Sequence, residues 1–187
     1  MKKLLTPLFL VTFLLAVQIA NAQVYKSKKD GVKISFFSET PIENISAENT
    51  KANVLMVNDS IFFKIPNKLF VFPKSLMQEH FNENYMESEK YPNSTFRGQI
   101  NEKIDLTKEG TYPVTVTGKI FIHGVEKIAT LKGTITVKGN EIIINSTFDV
   151  KLDDYKIQRP KVVMQNIAEV IKVKVEATLA PYVAEKK

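Results

Sequence analysis

The chain has no cysteine and no tryptophan, and it holds only two histidines and seven glycines in 187 residues. Without cysteine it can form no disulfide, no thiolate metal site and no cysteine nucleophile, and it lacks the residue that carries a lipid anchor on exported proteins. The histidines, His80 and His123, are far apart and show no His-x-His or His-x-x-x-His spacing, so no metal site is expected. There is no Gly-x-Ser-x-Gly elbow and no glycine-rich phosphate loop, so nucleophilic chemistry and nucleotide binding find no machinery, and no cofactor motif occurs. Charge of one sign is not concentrated either. The net charge is +6, and lysines such as Lys64, Lys68 and Lys74 are followed by Glu79, Glu83 and Glu87. That interleaving reads as solvated surface, whereas a nucleic-acid binder gathers its cations on one face.

Long apolar runs are also missing, with one exception. Leu8 to Val17 is a ten-residue apolar stretch, preceded by Lys2 and Lys3 and followed by Ala20-Asn21-Ala22. A basic start, a short apolar centre and a small-x-small end make a signal peptide over 1–22, cleaved after Ala22. A spanning helix needs about 20 apolar residues, and Pro7, Gln18 and Asn21 bound this run too closely. The expectation is one domain over 23–187, in the periplasm or secreted, with no membrane anchor.

What is present is alternation. Val114, Val116, Ile120 and Ile122 share one face of a segment whose other face carries Thr115, Thr117 and Lys119. The same two-residue period recurs over 125–137, 142–152 and 171–179, and earlier strands are expected at 24–28, 32–38, 52–57, 60–72 and 94–102. Turns are expected at Asp30-Gly31, Asn58-Asp59 and Gly139-Asn140. One helix interrupts the strands. Ser75 and Gln78 have capping-box spacing, Met77, Phe81 and Tyr85 recur every four residues, and Pro92 ends any continuation. A short helical turn is expected over 163–169, where Met164, Ile167 and Ala168 share a face. Many evenly spaced strands with one apolar face and little helix predict a mainly β, antiparallel barrel of about eight strands with one capping helix. At that strand number the lumen is either filled by side chains or holds one small ligand.

Three segments carry a resemblance to a known family. Glu79 to Gly98 (EHFNENYMESEKYPNSTFRG) resembles the helix, Tyr-Pro and Phe-strand signature of the YceI-like family. Gly118 to Lys127 (GKIFIHGVEK) is similar to its Gly-x-Leu-x-x-His-Gly-Val-x-Lys strand, with Ile120 in place of the usual Leu. Phe148 to Ile157 (FDVKLDDYKI) resembles its pattern before the final strand. The likeness runs over about 24–180. It implies an extended, lipocalin-like barrel, exported, that binds a polyisoprenoid or other long-chain amphiphile, with no enzymatic activity established for the family.

An apolar lumen suits a chain with twelve phenylalanines. Candidate lining residues on the strands are Phe36, Phe63, Phe96, Ile120, Ile122, Ile144 and Phe148, joined by Phe72, Phe81 and Tyr85 near the helix. His123, where a strand turns before Gly124, is a head-group candidate, and the alternative is a structural histidine bonded to turn backbone. The leading expectation is therefore a binding protein for a polyisoprenoid, quinone-like molecule or fatty amphiphile. The alternatives are a structural or stress-response interaction protein with a filled barrel, and an enzyme centred on His123.

Overall fold

The computed structural model of the chain describes residues 23–40, 42–159 and 167–182. The expected signal peptide lies outside them, as does most of the expected helical turn at 163–169; the described part, 167–169, is not helical. The described residues form nine strands: β1 (Val24–Ser38), β2 (Ile45–Asn49), β3 (Asn53–Val57), β4 (Ser60–Pro66), β5 (Asn93–Ile100), β6 (Gly110–Ile122), β7 (Val125–Lys138), β8 (Glu141–Lys151) and β9 (Val170–Pro181). All neighbours are antiparallel. Eight of them, in the order β1-β3-β4-β5-β6-β7-β8-β9, close into a barrel because β9 pairs back onto β1. Closure gives the first and last strands of the ring, β1 and β9, a partner in each other, which an open sheet would leave as long edges.

The expected strands at 24–28 and 32–38 are two halves of one strand. The Asp30-Gly31 pair is a bulge, with Asp30 at φ +55° and the register slipping between Ser27 and Val32. Both halves lie against β9, so the chain cannot reverse there. The bulge instead lets β1 change its other neighbour, from β3 (Val24↔Val57) to β2 (Ile34↔Asn49). Strand β2 was not expected from the sequence, because Ile45-Ser-Ala-Glu-Asn49 has only a weak apolar face. The expected strand 60–72 stops at Pro66. A 3₁₀ turn (Asn67–Leu69) breaks it, and Val71 then bridges to Glu48 of β2. Asn58 and Gly139 do turn the chain at positive φ, +51° and +56°.

Helix α1 (Ser75–His80) continues as a π turn over Phe81–Tyr85. The expected capping box does not form. Lys74 occupies the N-cap without a side-chain bond, and Gln78 Oε1 instead accepts from the Phe72 amide at 3.3 Å.

The barrel interior divides into two layers. Where β1 begins and β9 ends, Tyr25, Val54, Met56, Val137, Ile142 and Leu179 fill the cross-section, each no more than 3% exposed. This is a packed base. Toward the end covered by α1, side chains leave space between them.

One close approach sets the wall on the β5–β6 side. Gly98 and Gly118 are register partners, and a Cβ on Gly118 would lie 2.2 Å from the Arg97 carbonyl oxygen. Gly118→Ala should therefore destabilise the fold by about 2–3 kcal/mol. Gly139→Ala meets nothing within 4 Å and bears only the strain of a left-handed backbone, about 1–2 kcal/mol. Urea unfolding of the two variants should show the Gly118 variant as the weaker.

Candidate ligand cavity

The upper half of the barrel encloses a cavity of about 520 Å³, within the range of about 300–1,000 Å³ usual for small-molecule sites. Its floor is the layer just above the packed base, including Ile61, Val114, Ile135 and Val175. The strand period places the rest of the wall. Phe36 of β1, Phe63 of β4, Phe96 of β5, Ile120 and Ile122 of β6, and Ile144 and Phe148 of β8 all occupy inward positions and line the space. Phe72, just after the 3₁₀ turn, lines it too. Met77, Phe81 and Tyr85 roof it from the helix, the four-residue spacing keeping all three on the barrel side.

The roof is held by aromatic contacts. Phe36 lies at the centre, with ring centroids 5.4 Å from Phe70, 5.7 Å from Phe72 and 5.6 Å from Phe81. Phe81 also touches Phe70 at 5.5 Å and Phe72 at 5.1 Å. Such pairs contribute about 0.5–1.5 kcal/mol each beyond area burial, so Phe81, with three of them, ties the short helix to the barrel. Burial raises the Tyr85 phenol above its ordinary pKa, which keeps it a neutral hydroxyl at the wall. At the rim beside the helix, Lys74 pairs with Glu43, and His80 also reaches the lining.

Sequence reasoning missed several wall residues. Phe70 falls inside the expected strand 60–72, which ends at Pro66 in the structure. Asn67, fully buried, donates to the Tyr91 carbonyl at 2.7 Å and accepts from Ser94 Oγ at 2.8 Å. A buried asparagine 24 and 27 residues from its partners has no local signal. Lys132, Thr134 and Asn145 also border the cavity, although strand alternation assigns them to the outer face.

His123 is not among the lining residues. It sits at φ +49° in the tight β6–β7 turn, followed by Gly124 at +76°. Its Nδ1 donates to the Tyr155 carbonyl at 3.0 Å, and its Nε2 lies 2.7 Å from Glu87 Oε2. The Tyr91 ring packs edge-on at 4.9 Å. With both nitrogens given to protein groups, His123 ties three segments together at the covered end: the β6–β7 turn, the stretch after the helix, and the 3₁₀ turn Leu152–Tyr155. Glu87 and Tyr155 lie 36 and 32 residues away, so no sequence spacing announces the cluster. His123→Ala should cost about 1–3 kcal/mol of stability by leaving the Tyr155 carbonyl without its donor. A thermal melt checks this, and far-ultraviolet circular dichroism should still report a folded barrel.

Comparisons with known proteins agree with this architecture. Solved structures of other proteins share the fold, among them three from different bacteria. A polyisoprenoid-binding domain from Saccharophagus degradans, implicated in plant cell wall breakdown, is 12% identical, with 84% of this chain and 98% of that one covered at a TM-score of 0.73. BcnA of Burkholderia cenocepacia is 17% identical, with 81% and 98% covered at 0.69. A YceI protein of Campylobacter jejuni is 18% identical, with 78% and 90% covered at 0.62. Comparison with curated proteins finds no match. A family model, the YceI-like domain, matches residues 25–179, which spans every strand of the barrel, and the chain accordingly belongs to the YceI-like family.

Proposed function

We propose that this protein is an exported carrier or buffer that holds one long-chain amphiphile, such as a polyisoprenoid, a quinone-like molecule or a fatty acid, in the upper half of its barrel. The observation that carries the reading is a cavity of about 520 Å³ walled by phenylalanine, isoleucine and valine above a solidly packed base. The name of the Saccharophagus degradans neighbour, a polyisoprenoid-binding domain, supports the same chemistry. All ten aromatic and aliphatic positions expected from the sequence border this space, and we assign them to contact with the hydrocarbon chain. The reading of a filled barrel suits the base alone.

Affinity in such a site comes from area. Each buried methylene contributes roughly 0.8 kcal/mol, against an association cost of about 4–15 kcal/mol. Short chains cannot offset that cost and long ones can, so binding should tighten with chain length until the cavity is full. No charge need enter the lumen.

Native mass spectrometry after mild purification should show an added mass in the range of a long-chain lipid. Saturated fatty acids of increasing length should displace it with rising affinity. Ile120→Trp, which pushes an indole into the cavity, should weaken binding by about tenfold or more while the barrel stays folded. A protein that is always empty and takes up no fluorescent lipid would end this reading. Export is tested separately. The protein recovered from outside the cytoplasm should begin at Gln23, as intact mass measurement would show.

A further inference from the structure

One seam in the barrel wall runs between two long strands, β7 (Val125–Lys138) and β8 (Glu141–Lys151). β6 and β7 pair from Gly110↔Val137 to Ile122↔Val125, and β8 and β9 pair from Ile142↔Leu179 to Lys151↔Val170. Between them, β7 and β8 pair only from Lys138↔Glu141 to Gly133↔Ser146. The same register carried on would set Lys132 opposite Thr147, Thr130 opposite Asp149 and Ile128 opposite Lys151. None of those pairs forms, so residues 125–132 of β7 and 147–151 of β8 each have one edge without a strand partner among the described residues.

The gap is bounded at both ends. At the paired end the strands are pressed together, since a Cβ on Gly133 would lie 2.4 Å from the Asn145 carbonyl oxygen. Ser146 Oγ donates to the Lys132 carbonyl at 2.7 Å as the last cross-link. At the far end Lys127 pairs with Asp154 at 2.7 Å and His123 holds the Tyr155 carbonyl, which ties the start of β7 to the turn that follows β8. Between these closures lie residues 128–132, a span of roughly 16 Å at the usual rise of a strand. Frayed ends are open at one side. This is a window.

The cavity reaches it. Leu131, Lys132 and Phe148, which flank the unpaired stretch, border that space, as does Ser146 at the last formed pair. The rim combines an apolar inner lip, Leu131 and Phe148, with polar groups outside, and Ile128 on the free edge of β7 is 77% exposed. The other approach, beside α1, is narrowed by Phe81 packed on Phe36, Phe70 and Phe72, with Lys74 and the exposed Leu76 at its rim.

We propose that the hydrocarbon chain enters and leaves sideways through the β7–β8 window, tail first, with the polar head left at the rim beside Lys132 and Asn145. This rests on the amphiphile-holding function proposed above. It also accounts for an unpaired pair of edges in the middle of a closed barrel, where such edges invite aggregation.

The absence of cysteine makes the test clean. In a Thr130→Cys/Asp149→Cys variant, a short bis-maleimide would span the window, and the same variant capped with N-ethylmaleimide serves as its reference. Stopped-flow uptake and release of cis-parinaric acid should slow by about tenfold or more in the bridged protein, with equilibrium affinity near that of the capped form. A single Thr130→Cys carrying a bulky polyethylene-glycol maleimide should slow uptake likewise, and the same label on Lys103→Cys should not. Unchanged rates in both blocked proteins would overturn the window and move the entrance to the helix end. Failure of the wild-type and capped proteins to take up parinaric acid at all would instead overturn the holding function, and the window with it.

Discussion

The pairing of β1 with β9 is the constraint on which the rest depends. Residues Tyr25 to Phe37 meet Pro181 to Lys172 across the bulge, and this contact turns a nine-stranded sheet into a barrel. Without it, the apolar faces of β3 to β8 would have no opposite wall. The bulge at Asp30 matters for the same reason. It allows a single strand to serve β3 at the base and β2 near the covered end while keeping β9 along its whole length. Closure also fixes the radius, and the radius fixes what the interior can hold.

At this radius the side chains themselves decide between a core and a cavity. In the base, methionine, leucine, isoleucine and tyrosine reach across and meet, and the layer is nearly inaccessible to solvent. Higher up, the rings of Phe36, Phe70, Phe72 and Phe81 gather on one side against the helix rather than spreading across the lumen. Aromatic clustering at one wall leaves a void beside it, and the helix roofs that void. The arrangement is a cup with a floor, a roof and a slit in one side.

The unpaired stretch of β7 and β8 fits this picture energetically. Lost ladder hydrogen bonds are replaced by water at little net change, because each such bond contributes only about 0.5–1.5 kcal/mol. The covered end stays intact because His123, Lys127, Asp154 and Tyr155 hold it from outside the seam. Stability is thus supplied where the seam ends, and access is left where it runs.

Much of this was legible beforehand. Alternation over 112–122, 125–137 and 142–152 placed three long strands and their inward residues, because a period of two is written in neighbouring side chains and survives any tertiary arrangement. The spacing of Met77, Phe81 and Tyr85 marked the roof for the same local reason. The sequence alone therefore determined a β-barrel with a greasy interior, the inward face of the ten expected aromatic and aliphatic lining residues, and the absence of disulfide and thiolate chemistry. Tertiary structure alone decided the rest: that Asp30-Gly31 bulges instead of turning, that Ser75 and Gln78 do not cap each other, that His123 clamps three segments, and that β7 and β8 part at Gly133. Each of these depends on partners tens of residues away or on where a ladder stops, and neither leaves a mark on the local order of side chains.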